Sequence, residues 1–365
     1  MMYERLTFRW RSCLILLFIA LLASCSQDEM QPQDVPTQDK DLIAALGFDV
    51  TGMKSMGEFY LVENDILLRK DKLHEYQPVN TISIPDGRTE QARVSDLVSL
   101  ANQRNITVFV DSSIPTSGDD DWRTEVQQAI AEINAISNSR IRMQYVTSGP
   151  ADITVRDDAG ALYDGPVGGW VLAAAEWPAS GNSGYQIRIN LNTDNNRVFT
   201  TGQKKYNMAH ELGHCVGFRH TNWSGLGESA GIGISGTPNS GSNPDPNSVM
   251  NGGTALNSWN GFSSYDRIAY SSTYPAMSVS TSGPTKGNNS GTYTWSASAS
   301  GGIGPYTYAW YYSYDGQSYT NPFGNGSSVS AQLPLDLDLY LQVIATASDG
   351  ETAVDEHFTM NLDAN

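Results

Sequence analysis

Residues 210 to 220, HELGHCVGFRH, constrain this chain more than any other stretch. Three of the chain's five histidines fall inside it. His210 and His214 are four residues apart, so on a helix they share one face and both imidazoles can reach a single ion about 2 Å from each nitrogen. The surrounding KKYNMAHELGHCVGF has helical periodicity, with Met208, Leu212, Cys215 and Val216 on the core side. Gly217 lets the chain leave that helix sharply, because glycine accepts positive φ at no steric cost. The turn brings His220 back as a third ligand. Three neutral imidazoles around Zn²⁺ leave the fourth position to water, which is the arrangement of a catalytic rather than a closed structural site. Glu211 can accept a proton from that water, whose pKa zinc lowers to roughly 7, and later deliver it to a leaving amine. The spacing predicts hydrolysis of a peptide bond. HExxHxxGxxH fixes five positions with distinct jobs and is far more specific than a bare HExxH.

The rest of the chain sets this motif in an exported protein. Arg5, Arg9 and Arg11 precede the apolar run CLILLFIALLA, too short to span a membrane comfortably. Leu22-Ala23-Ser24-Cys25 then resembles the lipobox of bacterial lipoproteins, which implies a signal peptide over residues 1–25 and Cys25 as the lipidated residue, the other reading being an ordinary secretory signal cleaved nearby. The acidic residues just after Cys25 resemble signals that send some lipoproteins to the outer surface, which implies an outer-membrane or cell-surface location, or secretion if the anchor is removed. Residues 26–40 are polar and read as a flexible tether. With Cys13 in the signal and Cys25 lipidated, Cys215 is the one free thiol, on a helix where it reads as buried and inert, and no intrachain disulfide can form. The net charge of −17 and the lack of a basic stripe argue against nucleic-acid binding. Protein or peptide substrates, a membrane contact through lipid alone, and a monomer are the expected partners and state.

Three blocks follow the tether. Residues 41–104 mix short helical and strand patterns and read as a pro-segment. Residues 105–275 read as an α/β unit with strands at 106–111, 141–146, 151–157 and 185–192. Its first helix, capped by Asp119–Asp121, aligns Val126, Ala129, Ile130 and Ile133 on one face. Residues 276–365 carry short Val-, Tyr-, Thr- and Trp-rich runs separated by turn signals such as YDG and SDG, a β-sandwich pattern with Trp310 as its core residue. GGIGPYTYAWYYSYDG resembles the immunoglobulin- and PKD-like modules of secreted bacterial proteins. His74 and His357 lie in other blocks and read as surface residues.

HELGHCVGFRH followed by Thr221 resembles the metzincin metallopeptidases, and more closely the bacterial dual-action HEIGH metallopeptidases. The resemblance implies an α+β catalytic domain with a twisted, mostly parallel sheet, an active-site helix and a closing helix, preceded by a pro-segment and followed by the all-β sandwich. It also implies a methionine turn, matched by SVMNGG with Met250, and the closing helix in GFSSYDRIAYSSTYP, capped near Ser264. Residues 167–177 would form the unpaired edge strand that walls the cleft and takes up extended substrate by strand addition. The tyrosine that some metzincins carry two residues after the turn methionine is Gly252 here, so that role passes to no residue; Tyr265 and Tyr270 are near in sequence. VENDI (62–66) resembles a pro-segment stretch whose aspartate occupies the metal's open position, making Asp65 a latency ligand, though Asn64 replaces the glycine of that pattern. Asp245 and Glu228, in the insertion between His220 and Met250, are candidate calcium ligands. A different reading remains beside the zinc endopeptidase: a surface adhesion or glycan-binding lipoprotein whose zinc site is vestigial.

Overall fold

The computed structural model describes residues 35–78, 91–162, 164–165, 169–191, 197–238 and 244–363, with the side chains of 164–165 and 169–170 left aside. Cys25, the signal and most of the tether lie outside them. No helix among the described residues is long and apolar enough to cross a membrane. The first helix, α1 (Thr37–Ala45), begins inside the stretch read as tether; Ile43 and Leu46 anchor it in a core.

Strands β1 (Lys54–Met56), β2 (Phe59–Val62) and β3 (Ile66–Arg69) form an antiparallel meander. The two-residue strand β4 (Ala92–Arg93) follows, then β5 (Ile106–Val110), α2 (Arg123–Asn134), β6 (Met143–Val146) and β7 (Ile153–Asp157). Strands β5, β6 and β7 each begin within two residues of the predicted start, whereas β4 has no counterpart in the sequence reading. Alternation in Ile106–Val110 buries Ile106, Val108 and Val110, and the period of α2 buries Val126, Ala129, Ile130 and Ile133. The acidic cap lies one step further out than expected: Asp121 accepts the Arg123 N–H, whereas the N-cap position is Trp122. After the small hairpin β8 (Asp164–Gly165) and β9 (Gly169–Trp170) come β10 (Ala173–Glu176) and β11 (Gln186–Ile189).

These strands build one eight-stranded sheet in the order β1-β2-β3-β10-β11-β7-β5-β6. The β11, β7, β5 and β6 pairings are parallel, as is β3 with β10, and only β10 with β11 and the β1-β2-β3 meander run antiparallel. Strand β10 was expected to be a free edge. In the intact chain it is interior, because β3 pairs its open side at Ala175↔Ile66 and Glu176↔Leu67. The meander also shares apolar cores with the sheet: Phe48, Tyr60 and Leu68 pack with Trp177 and Ala179, while Phe59 and Leu67 pack with Ala174. Residues 91–104, read with the N-terminal block, pack differently. Val98 enters the large core, and Gln91 donates to Asp266.

The long helix α3 (Thr201–Cys215) packs on the sheet with α2. It starts at a capping box in which Thr200 and Gln203 each satisfy the other's backbone N–H. A short helix α4 (Trp223–Leu226) and a strand β12 (Ile232–Gly233), which pairs with β4, lead to α5 (Ser264–Thr273). The capping residue of α5 is Ser263, one before the expected position, with Asp266 completing the box.

Residues 278–361 form a sandwich of a three-stranded sheet (Ser278–Ser282, Thr292–Ser300, Ser328–Gln332) and a five-stranded sheet (Lys286–Gly287, Thr307–Ser313, Asn321–Asn325, Leu339–Thr346, Thr352–Asn361). Trp310 is in its core as expected, and so is Trp295 from the facing sheet. The sandwich is clasped to the α/β unit by Arg140, a fully buried guanidinium paired with Asp349 and Glu351.

Candidate metal centre

Helix α3 carries His210, Glu211 and His214, and a left-handed Gly217 (φ 96°) ends it as the motif required. The chain then returns with His220. All three imidazoles are buried. His210 Nδ1 lies 2.7 Å from the Val249 carbonyl and His214 Nδ1 2.7 Å from the Phe218 carbonyl. A carbonyl only accepts, so both Nδ1 atoms carry the proton and both Nε2 atoms present lone pairs. Those Nε2 atoms are 3.0 Å apart. Two lone pairs cannot bond each other at that distance, but a cation between them makes the arrangement favourable; tetrahedral Zn–N bonds of about 2.0–2.1 Å put the nitrogens about 3.3 Å apart. Asp65 completes the set. Its Oδ2 is 2.9 Å from His220 Nε2 and 3.6 Å from His210 Nε2, and its Oδ1 is 3.8 Å from His214 Nε2 with no hydrogen-bond partner among the described residues. The four ligand atoms lie within 4.8 Å of one another and form the one such group among the described residues. Three imidazoles and a carboxylate suit a divalent metal, with zinc favoured by the nitrogen-rich donor set.

Asp65 reaches the centre from the hairpin turn between β2 and β3. Glu63 and Asn64 there adopt φ of 49° and 72°. Asparagine tolerates that region better than most residues, so Asn64 does the work of the glycine it replaces. Burial alone would raise the Asp65 pKa, but His220, His210 and His214 lower it below the usual carboxylate range. Burial of His214, with His210 beside it, lowers its pKa and keeps it neutral, as a ligand requires. His220 goes the other way: burial is outweighed by Asp65 at Nε2 and Glu228 at Nδ1, giving it a proton that metal binding displaces.

Three further residues hold this geometry in roles that the sequence reading did not give them. Glu228, named as a calcium candidate, directs both carboxylate oxygens at His220 Nδ1, at 2.8 and 2.9 Å. Such a carboxylate behind a ligand fixes the ring and raises its basicity. Asp245 accepts the Asn247 N–H and lies outside the ligand group. Asp266 on α5 accepts from Ser248 Oγ and the Val249 N–H, thereby setting the carbonyl that orients His210. Thr221 joins the same loop by donating its N–H to the Met250 carbonyl. Met250 is buried with its sulfur against Gly213, on the helix between the ligands. The third residue is Arg219, whose guanidinium is bonded to Glu63 of the N-terminal segment.

Glu211 is buried beside the centre, its Oε2 without a hydrogen-bond partner among the described residues, and lines a cavity of about 90 Å³ together with His210, Leu172, Ala173, Asn207 and Asn251. Burial first, and the Asp65 charge second, push its pKa well above the ordinary carboxylate range. Tyr270 is buried against Phe218 and Phe262, Tyr265 is exposed, and neither lines that cavity. Gly252 has no room for a side chain: a Cβ would lie 2.8 Å from His220 Nδ1. Burial pushes the Cys215 thiol up and leaves it inert. His74 and His357 stand apart from the metal group.

No curated protein matches the chain. The sequence pattern of the dual-action HEIGH metallopeptidases matches residues 60–274, more than half the chain, and takes in the β2–β3 hairpin, the three histidines, Met250 and α5. The chain belongs to the dual-action HEIGH metallopeptidase family.

Proposed function

We propose that the chain is a zinc-dependent endopeptidase for extracellular proteins, made in a latent form and anchored to the bacterial cell envelope through lipid on Cys25. The observation that carries the reading is the convergence of three imidazole Nε2 atoms, each ring tied back at Nδ1, with Glu211 buried alongside. Zinc bound there supplies Lewis-acid polarisation of the scissile carbonyl and of a water. Glu211 does the proton work. Its carboxylate takes a proton from the attacking water and delivers it to the leaving amine nitrogen. In the latent chain Asp65 adds negative charge beside Glu211, so its departure brings the Glu211 pKa down toward the form that accepts a proton.

Latency has two supports in this reading. Asp65 takes the position that water needs, and β3 takes the main-chain groups of β10 that an extended substrate would use. Freed of β3, β10 becomes an edge that binds substrate through backbone hydrogen bonds and tolerates many side chains. Casein or gelatin hydrolysis by the chain freed of its N-terminal segment tests the proposal. Cleavage that is lost on zinc chelation and in Glu211→Ala is expected; a folded, zinc-loaded and unblocked protein that cleaves nothing would overturn it.

A further inference from the structure

Arg219 stands immediately before the third candidate metal ligand; its backbone N–H donates to the Ala92 carbonyl, yet every hydrogen-bond acceptor of its guanidinium comes from the N-terminal segment. Its Nη2 donates to both oxygens of Glu63, at 2.5 and 2.7 Å, and its Nη1 donates to the Gly47 carbonyl at 2.8 Å. Phe48 covers one side of the guanidinium, with its ring centre 5.3 Å away. To the guanidinium the rest of the chain supplies Trp177, 5.6 Å away, while Gly231 lies against the aliphatic stem. Both partners of the ion pair are buried, and the guanidinium Nε has no hydrogen-bond partner among the described residues. Departure of the segment that carries Gly47, Phe48, Glu63 and Asp65 therefore strips Arg219 of its counter-charge, both its acceptors and one of its two rings. What remains is a cation beside Trp177, the residue that follows β10, with both terminal nitrogens freed to receive another carboxylate.

We propose that Arg219 anchors a carboxylate-binding subsite, filled by Glu63 in the uncut chain and by an acidic side chain of the substrate once the N-terminal segment has left. The inference rests on the peptidase reading above and adds a specificity to it. Glu63 is two residues from Asp65, which spans at most about 7 Å of chain. Its carboxylate thus marks a subsite within two or three residues of the scissile bond. Trp177 follows directly on β10, so the subsite lies toward the carboxyl end of that wall strand. Glu63 is accordingly a substrate mimic in the latent chain, while Asp65 is the metal's plug.

The test uses the full chain, zinc-loaded, cut at a protease site introduced between residues 78 and 91 and freed of its N-terminal piece by gel filtration. Matched peptides carry Glu or Gln, stepped through three positions on each side of the cleaved bond. Glu is expected to exceed Gln at one position by roughly tenfold in kcat/KM, as charge-assisted hydrogen bonds of this kind give. Arg219→Gln should bring that ratio to one, and Arg219→Lys should keep part of it. A purely structural role would slow both members of each pair alike and leave the ratio standing. A second arm needs no enzyme variant: a synthetic peptide of residues 59–69 with Asp65→Ala should inhibit, and its Glu63→Gln counterpart should inhibit roughly tenfold more weakly. Neutral peptides cleaved with no acid preference at any position, or a ratio that survives Arg219→Gln, would overturn the subsite alone. No cleavage of any peptide would overturn the peptidase reading, and the subsite with it.

Discussion

Gly252→Ala tests how tightly the third ligand is held. A methyl group at this position would sit 2.8 Å from His220 Nδ1, 2.9 Å from His220 Cε1 and 2.6 Å from Leu226 Cδ1. Ordinary contact begins about 0.6 Å further out, so something has to move. Leu226 is exposed and gives way easily. The Gly252 backbone does not, because its N–H donates to Asn222 Oδ1 at 2.7 Å and its carbonyl accepts from Asn222 Nδ2 at 3.1 Å. The ring itself is fixed between Glu228 on one nitrogen and the ligand group on the other. The strain therefore falls on the His220–Glu228 contact. Overpacking of this kind costs about 1–3 kcal/mol, and a displaced partner behind a ligand costs about 10–100-fold in metal affinity. The assay is a zinc titration against a competing chelator, with thermal unfolding followed with and without zinc. Gly225→Ala, where a Cβ meets nothing within 4 Å, is the control. Wild-type zinc affinity in Gly252→Ala would refute the argument that His220 is rigidly seated.

Four further outcomes are expected. Asp65→Ala lowers the zinc affinity of the uncut chain but leaves that of the chain freed of its N-terminal piece unchanged, as a chelator competition would show. Glu228→Ala weakens zinc binding about 10–100-fold in both forms, measured the same way. Glu176 on β10 is buried under the N-terminal segment, and burial, opposed by Arg69 and Lys72, pushes its carboxyl up to about 7. A raised carboxyl favours the protonated form in the folded state, so its contribution is full below the ordinary value of 4.5 and is lost as pH rises through about 7. The uncut chain should gain on the order of 1–3 kcal/mol at pH 5 over pH 8 from this group, and Glu176→Gln should remove that part of the pH dependence of its thermal unfolding. Arg140→Met leaves Asp349 and Glu351 without their buried cation. The sandwich should then loosen from the catalytic unit at a cost of about 3 kcal/mol, seen as an earlier unfolding step or as proteolysis near residue 276.

The parts of this molecule that sequence reveals are those set by local spacing. Two histidines one helical turn apart, a glycine where the helix must end and alternating apolar residues in Ile106–Val110 are each decided within a few residues. Contacts between distant segments left weaker traces. Glu228 reads as an ordinary loop carboxylate because nothing in its neighbourhood shows that the chain folds back on His220. Arg219 and Glu63 are 156 positions apart, and a charged residue on its own gives no sign of burial. The edge strand is a related case: residues 167–177 stand where the resemblance places the cleft wall, but only the three-dimensional pairing shows that β3 covers β10. At Asn64 the departure from the glycine of the related pattern weakened the reading of Asp65, whereas the backbone shows the same left-handed turn achieved by asparagine.

The most direct test compares Glu211→Gln with the wild-type chain, both freed of residues before 79 and both assayed for bound zinc and for casein hydrolysis in one preparation. Equal zinc, close to one ion per chain, with hydrolysis lowered about 10²–10⁴-fold in the variant is the predicted result. Undiminished hydrolysis by the variant at equal zinc content would contradict the proton-transfer role on which the account depends.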